Sequence, residues 1–535
     1  MNQQEKKKRA RRLRILIQAA SWGLFAWLLG RAAGPEALSR VPPDIFLRLD
    51  PLAAVAVPIA AREFIAALIP GLLLLAVATV FGRVFCGYVC PMGATLDAAG
   101  WLLRFCQPPR PAEKPGSPYR YIKYMVLIAA LAAAAFGVSL IFWAAPIPLV
   151  TRLYAEGLYP LLLLGLDHIR PALEALGLIG QYAAIKTRAF DGGYIIAFFG
   201  FLIILEKIRP RFWCGVLCPA GALLGLMSRR PAWRRRVERC VGCGRCAKQC
   251  PTQAISDDGR QTCFSECLTC RACQDICPAG GVKFSFAPAA ESLQADGLAF
   301  PRRAFLKAGV GGVGLACVHT LPQAWLLRRA GGLGVVRPPG AILESDFLTK
   351  CLRCGECVKA CPTNGLRLQG LERGLYEFSS PHLAARRGPC EPECRACGQV
   401  CPTRAIRPLP LAEKKWAKMG TAVVVKDTCL AWAEDRRCVV CQEVCPYGAV
   451  DLVREDGLEV PVPQVNAARC YGCGYCEYHC PVAAPAIVVT AQGALRLNGG
   501  DTIREAQALG LDLDPDRPRT EEALPDDELP PGFIL

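Results

Sequence analysis

The stretch that decides the fold reads Cys240-Val241-Gly242-Cys243-Gly244-Arg245-Cys246-Ala247-Lys248-Gln249-Cys250-Pro251. Its first three thiols are close enough in sequence to wrap one corner of a [4Fe–4S] cube, with backbone amides turned toward the inorganic sulfurs. The fourth is set off by three residues and reaches a neighbouring cube, and the proline behind it keeps the chain from continuing the turn. Working outward, the spacing C-x2-C-x2-C-x3-C-P recurs at Cys267, Cys270, Cys273, Cys277, at Cys351, Cys354, Cys357, Cys361, and at Cys470, Cys473, Cys476, Cys480. Two runs keep this ending but open on longer gaps: Cys390, Cys394, Cys397, Cys401 and Cys429, Cys438, Cys441, Cys445. A longer first loop removes no ligand, so these also predict clusters.

Consecutive runs pair along the chain. Exchange of the fourth cysteine within each pair predicts six cubes, the first two held by Cys240, Cys243, Cys246, Cys277 and by Cys267, Cys270, Cys273, Cys250. The next two are expected on Cys351, Cys354, Cys357, Cys401 and on Cys390, Cys394, Cys397, Cys361. The last two fall on Cys429, Cys438, Cys441, Cys480 and on Cys470, Cys473, Cys476, Cys445. A disulfide scaffold is the wrong account of 31 cysteines in 535 residues, because such scaffolds are short chains. Zinc ribbons use two Cys pairs and need no third close cysteine followed by Cys-Pro. The net charge of +17 would suit nucleic acid, but the basic residues gather at 6–14 and beside apolar stretches, as the positive-inside rule of membranes predicts. No nucleic-acid partner is expected.

Four segments are apolar enough to span a bilayer, at residues 15–33, 64–82, 125–146 and 194–205, and residues 158–166 read as a short interfacial or re-entrant helix. Lipid cannot satisfy free peptide groups, so each span is predicted to be helical. Pro301-Arg302-Arg303-Ala304-Phe305-Leu306-Lys307, followed by a Gly-rich apolar run, looks like a twin-arginine export signal in mid-chain, kept as a fifth span. Such a signal is read in the cytoplasm, which requires an even number of spans before it. The domains expected are a four-helix membrane domain (1–235), a two-cluster cytoplasmic ferredoxin domain (236–290), the signal and fifth helix (291–337), an exported four-cluster domain (338–490) and an acidic, Pro-rich tail (491–535). The fold class is thus multidomain, an α-helical membrane bundle with ferredoxin-like α+β 4Fe–4S modules.

Seven cysteines lie outside the runs: Cys86, Cys90, Cys106, Cys214, Cys218, Cys263 and Cys317. Four of them form a repeat, with Arg83, Cys86, Cys90, Pro91 and Gly93 matched by Arg211, Cys214, Cys218, Pro219 and Gly221. Cysteines four apart share a helical face, so the copies could bring four thiols together, either for one more cluster or for a reversible disulfide with thiol pKa values lowered by the arginines. Cys106, Cys263 and Cys317 read as structural or spare. His168, His319, His382 and His479 are too scattered for a haem pair, and no nucleophile constellation or dinucleotide fingerprint is present, so no catalytic residue is assigned.

On these motifs the first 290 residues resemble the NapH-type membrane ferredoxins. Residues 300–487 resemble the NapG/MauM-type polyferredoxins, with Cys429-Leu430-Ala431-Trp432 fitting the variant run. The resemblance implies a fusion of two subunits that carry electrons from menaquinol toward a periplasmic nitrate reductase. A multi-pass protein of the cytoplasmic membrane is therefore expected, with its N-terminus and first ferredoxin domain cytoplasmic and the second half outside. The expected partners are the quinone pool and an extracytoplasmic reductase or cytochrome, with Asp50 and Glu63 as candidate proton-handling groups. A second reading, also by resemblance, is a redox assembly factor for a metalloenzyme, using the thiols of the repeat.

Overall fold

The computed structural model describes residues 3–31, 42–102, 119–175, 190–286, 334–374 and 376–515, together with Arg303, Leu306, Lys307, 309–314 and Cys317. The first half is helical: α1 (Gln3–Arg31), α2 (Pro51–Ala61), α3 (Ile69–Phe81), α4 (Pro91–Leu102), α5 (Tyr119–Ala135), α6 (Pro146–Arg152), α7 (Tyr159–Ala175), α8 (Gly193–Ile208) and α9 (Pro219–Met227). Four of these begin on proline, whose fixed φ suits a first helical position and whose missing N–H is not needed there. Asp50 caps α2, its Oδ1 accepting from Leu52 N at 2.9 Å and Ala53 N at 3.1 Å. Phe25, Leu52, Val57, Leu68, Ile147, Val150, Phe199 and Leu202 are buried in the core that these helices share.

Among the described residues, two helical stretches are long and apolar enough to cross a membrane by length and composition, Arg12–Arg31 and Pro146–Pro171. Pro51–Ala61, Ala66–Phe81 and Tyr121–Ala135 are apolar but shorter. The second long stretch departs from the short interfacial helix expected at 158–166. There α6 runs into α7 through a π-helical turn, Leu153–Leu158, and the buried Arg152 at the junction is satisfied by the carbonyls of Phe142 at 3.1 Å and Arg353 at 2.9 Å. The span expected at 125–146 stops at Ala135, because Gly137 turns the chain with φ +79°. Of the expected fifth helix, 309–314 is helical, and a Cβ on Gly312 would stand 3.0 Å from Met125 O and 3.1 Å from Ala129 N of α5. Arg302 and residues 318–333 lie outside the described residues, as does the acidic tail beyond Pro515.

The chain forms two units, the first Met1–Gly331 with Ala341–His382 and Ala396–Pro408, the second Gly332–Gly340, Leu383–Arg395 and Leu409–Leu535. The segment expected as one domain at 338–490 is therefore divided, because part of it packs on the helices. Thr349 Oγ1 donates to Gly137 O at 3.1 Å, and Lys359 donates to Leu29 O.

In the first unit, cysteine-bearing modules cover both ends of the helices. Near the start of α5, Lys123 meets Glu266 at 2.5 Å, while just past the other end of that helix Gly137 meets Thr349. At 1.5 Å per residue the 14 residues from Lys123 to Gly137 separate the two contacts by about 21 Å. The module containing Glu266 closes on β1 (Trp233–Val237) and β2 (Val282–Phe286), antiparallel with Trp233 opposite Phe286 and Val237 opposite Val282. Between these strands lie the short helices Arg245–Gln249 and Ala272–Ile276.

The second unit repeats this plan with β3 (Thr421–Val424), β4 (Val450–Val453), β5 (Val462–Val465) and β6 (Ile487–Thr490). Strand β3 pairs with β6, Thr421 opposite Thr490, and β4 pairs with β5, Val450 opposite Val465.

Candidate iron–sulfur centres

The regular runs share one backbone device. The residues on either side of the second cysteine are left-handed in all four: Gly242 and Gly244, Thr269 and Arg271, Arg353 and Gly355, Gly472 and Gly474. Such residues turn successive N–H groups into a concave nest that favours an anion. Glycine accepts the conformation freely, whereas Thr269, Arg271 and Arg353 hold it at a cost of about 1–2 kcal/mol each. Beyond the fourth cysteine, Gln253, Gly280, Asn364, Arg404 and Gly448 are left-handed as well, each three residues past its cysteine. The turn sends a later N–H back to the sulfur: Ala254 N to Cys250 Sγ at 3.2 Å, Ile406 N to Cys401 Sγ at 3.4 Å, and Ala449 N to Cys445 Sγ at 3.3 Å. The variant runs lack the paired left-handed residues around Cys394 and Cys438.

The thiols face common cavities. Cys240, Cys243, Cys246 and Cys277 line one, and Cys250, Cys267, Cys270 and Cys273 line a second, each of about 20 Å³. In the second unit, Cys429, Cys438, Cys441 and Cys480 line a cavity of about 30 Å³, and Cys445, Cys470, Cys473 and Cys476 one of about 20 Å³. In each case three thiols of one run meet the fourth of its partner. Around Cys357, burial pushes the thiol well up, and Cys354, Cys351 and Cys401 add to the rise by their proximity. Cys361 and Cys397 belong to the first unit and Cys390 and Cys394 to the second, so that set rests on spacing alone.

The lining fits iron–sulfur cubes. Dry, crowded thiols are unfavourable as anions unless a cationic core lies among them, and a Cβ on Gly259 would stand 2.9 Å from Cys246 Sγ and 3.8 Å from Cys240 Sγ, filling the cradle. Zinc would draw its sulfurs in to about 2.3 Å from one ion. Among the described residues, no three His, Cys, Asp or Glu side chains converge in that way. Buried Arg235 lines both cavities of the first module, donating to Gly259 O at 2.7 Å and Thr262 Oγ1 at 2.7 Å, with Cys246 Sγ at 3.7 Å. Stacked Tyr447 and Tyr471, ring centres 4.9 Å apart, cover the last cavity. Sequence reasoning missed Arg235, because its place between two cavities arises only on folding.

The thiol repeat is built differently. Cys86, Cys90, Cys214 and Cys218 are all buried, Cys86 and Cys214 in short helical turns and Cys90 and Cys218 directly before α4 and α9. The arginines cross over: Arg211 Nη1 donates to Cys86 O at 2.9 Å, and Arg83 Nη2 approaches Cys214 O at 3.5 Å. Gly221 makes room for Arg83, since a Cβ there would stand 2.6 Å from Arg83 Nη2, whereas at the matching Gly93 a Cβ would press on Cys86 O at 3.0 Å and meet Arg211 only at ordinary contact distance. Arg83 also donates to Ser265 O at 3.1 Å and Glu266 at 3.4 Å, tying the repeat to the residues before Cys267. Burial pushes the Cys214 thiol up to about 12, although Arg211 pulls the other way. The expectation that arginines lower the thiol pKa is corrected at Cys214, where desolvation outweighs them.

The other candidates are occupied. Asp50 spends its oxygens on the cap of α2 and, through Oδ2, on Ile147 N at 3.3 Å, and Glu63 pairs with Lys350 at 2.5 Å. His168 and His479 bond the carbonyls of Leu164 and Tyr475 on the surface. Cys263 lies 3.2 Å from Ser265 Oγ, and Cys106 and His319 are outside the described residues.

A family described as a 4Fe-4S binding domain matches residues 64–108 and 192–239, the two copies of the thiol repeat. Others of that description match 235–256 and 264–280, and a 4Fe-4S dicluster domain matches 350–405 and 436–484. The methylamine utilization ferredoxin-type protein MauM of Methylobacillus flagellatus is 38% identical over 198 residues, 35% of this chain and 82% of that protein. The ferredoxin-type protein NapG of Escherichia coli is 38% identical over 204 residues, 35% of this chain and 84% of NapG, and NapF of the same organism is 34% identical over 149, covering 28% and 82%. No solved structure matches the chain.

Proposed function

We propose a function for the chain from the family to which it belongs, that of the ferredoxin-type proteins MauM and NapG: it is a membrane-bound iron–sulfur carrier that takes electrons from quinol and delivers them outside the cytoplasmic membrane. That it transfers electrons through iron–sulfur centres follows from the family and the 4Fe-4S domains. The membrane, the quinol, the fusion with a NapH-type part and the outward direction are our reading.

The observation that carries it is the placement of cysteine sets at opposite ends of one apolar helical bundle, Cys250, Cys267, Cys270, Cys273 at one end and Cys351, Cys354, Cys357, Cys401 at the other. In a bilayer, that arrangement gives the chain centres on both faces. The six predicted cysteine sets would hold the cubes, which supply one-electron exchange when bound. The chain's own residues position and tune them: left-handed nests aim N–H groups inward, Arg235 places positive charge between two sets, and Tyr447 with Tyr471 excludes water. The N-terminal basic residues and the first module then face the cytoplasm, and the second unit faces outward toward a reductase or cytochrome. The assembly-factor reading requires reactive thiolates in the repeat, and burial of Cys214 works against it.

A reduced menaquinol analogue added to the anaerobically purified chain is expected to reduce its centres, followed by electron paramagnetic resonance. In sealed inverted vesicles, protease should reach residues 236–286 but not 409–490. Absence of quinol-driven reduction removes the donor, and cleavage of both segments removes the two-sided arrangement.

A further inference from the structure

One cavity in the first unit is not explained by the cysteine cages. It encloses about 770 Å³, within the range of cavities that hold whole organic ligands, and one wall is Cys270 with Pro251 of the ferredoxin module. The opposite walls are Ile15, Ala19 and Trp22 of α1, the helix of crossing length, and Ala94, Leu96 and Ala98 of α4. Between them stand a few polar groups. Asp97 accepts from Arg211 Nη2 at 2.6 Å, Arg211 Nε at 2.8 Å and Gln18 Nε2 at 2.8 Å, and it keeps a third of its side-chain surface open. Glu206 caps the turn after α8, accepting from Arg211 N and Phe212 N. Arg14 Nε is buried without a hydrogen-bond partner among the described residues.

We propose that this cavity binds the ring of a quinone or quinol from the lipid phase, with Arg14 and Asp97 as its polar contacts and the Cys270 loop as its redox neighbour. The inference rests on the electron-carrier reading above and gives it a place of entry. Three requirements select this ligand class. The α1 and α4 walls want an apolar ring, the carboxylate and the free N–H want groups that exchange a hydroxyl for a carbonyl, and an expected cluster ligand in the wall wants a redox-active molecule. A nucleotide would need uncommitted cations for its phosphates, and Arg211 and Arg14 Nη2 are already engaged by Asp97.

Oxidation of the quinol breaks two O–H bonds and releases two protons and two electrons. The electrons go singly to the two iron–sulfur centres of residues 236–286. Asp97 accepts a hydrogen bond from the ring hydroxyl, Arg14 Nε donates to the carbonyl that results, and both protons leave to water. Although burial raises Asp97, the charge of Arg211 with hydrogen bonds from Arg211 and Gln18 outweighs it, so the carboxyl lies below its ordinary value and stays a charged hydrogen-bond acceptor.

An azido-substituted short-chain quinone, photolysed on the purified full chain and traced by peptide mass spectrometry, is expected to label Arg12–Arg31 and Pro91–Leu102, with excess unmodified quinone suppressing the label. Ala98→Trp, which fills the cavity, should cut labelling and quinol-driven reduction at least tenfold, while iron content and reduction by dithionite stay at the native level and establish folding. Asp97→Asn should keep the label but slow quinol-driven reduction at least tenfold. Label confined to other segments, with quinol still reducing the centres, overturns this cavity while leaving the carrier reading intact. No label and no reduction by quinol removes the donor and this inference together.

Discussion

The chain carries two kinds of cysteine site, and they differ in what surrounds the sulfur. In the regular runs the thiols face a small cavity from loops whose left-handed residues aim N–H groups inward. In the repeat of Cys86, Cys90, Cys214 and Cys218 the thiols are sunk in the helical core, and the nearby cations are spent on carbonyl oxygens and carboxylates. Burial pushes thiols up in both, at Cys267 and Cys357 as at Cys214 and Cys218, so the inward-aimed N–H groups of the runs are what separates them. The contrast therefore lies in the backbone around the sulfur, since the repeat too matches a family described as a 4Fe-4S binding domain.

The distinction is open to direct attack. Cys273→Ser should cost about four irons per chain, whereas Cys86→Ser with Cys214→Ser should cost none, and iron analysis of the anaerobically purified proteins checks both. A loss of about four irons in the second variant would put a further cube in the repeat and erase the contrast. Next in size, Glu266→Gln strips Arg83 and Lys123 of their buried anion and should destabilise the first unit by about 3–5 kcal/mol, read from unfolding in detergent. Gly221→Ala forces a Cβ onto the Arg83 guanidinium, and a cost of about 1–3 kcal/mol by the same measurement is expected. An unchanged transition would mean that Arg83 is not held there. Smallest is Arg235→Gln, which removes positive charge between two cages and should lower both potentials by roughly 60 mV in a redox titration, a tenfold shift in each one-electron equilibrium. A change at one centre alone would deny that Arg235 is shared.

The cages were readable because their ligands are close in sequence and the exchange of the fourth cysteine is a property of the motif. Gly242, Gly244, Gly472 and Gly474 announced left-handed turns, whereas Thr269, Arg271 and Arg353 take the same conformation with no sign of it in their side chains. The crossing of Arg83 and Arg211 had a signal, their equal positions in the repeat, but only the fold reveals that each serves the other copy. Asp97, Arg14 and Gln18 come from helices far apart in sequence, so no local pattern could gather them. The short helix expected at 158–166 misses the run through 153–158, where charged Arg152 and Glu156 lie in the helix. Their charges are met by partners from distant segments, including Arg353 O and the Tyr194 hydroxyl.

The crossed arginines also bear on how the repeat can vary. Because each copy lends its cation to the other, neither is a self-sufficient building block, and a chain severed between α7 and α8 would leave both fragments with a stranded guanidinium in an oily interior. A side chain added at Gly221 is thereby felt at Arg83, more than a hundred residues away in the other copy.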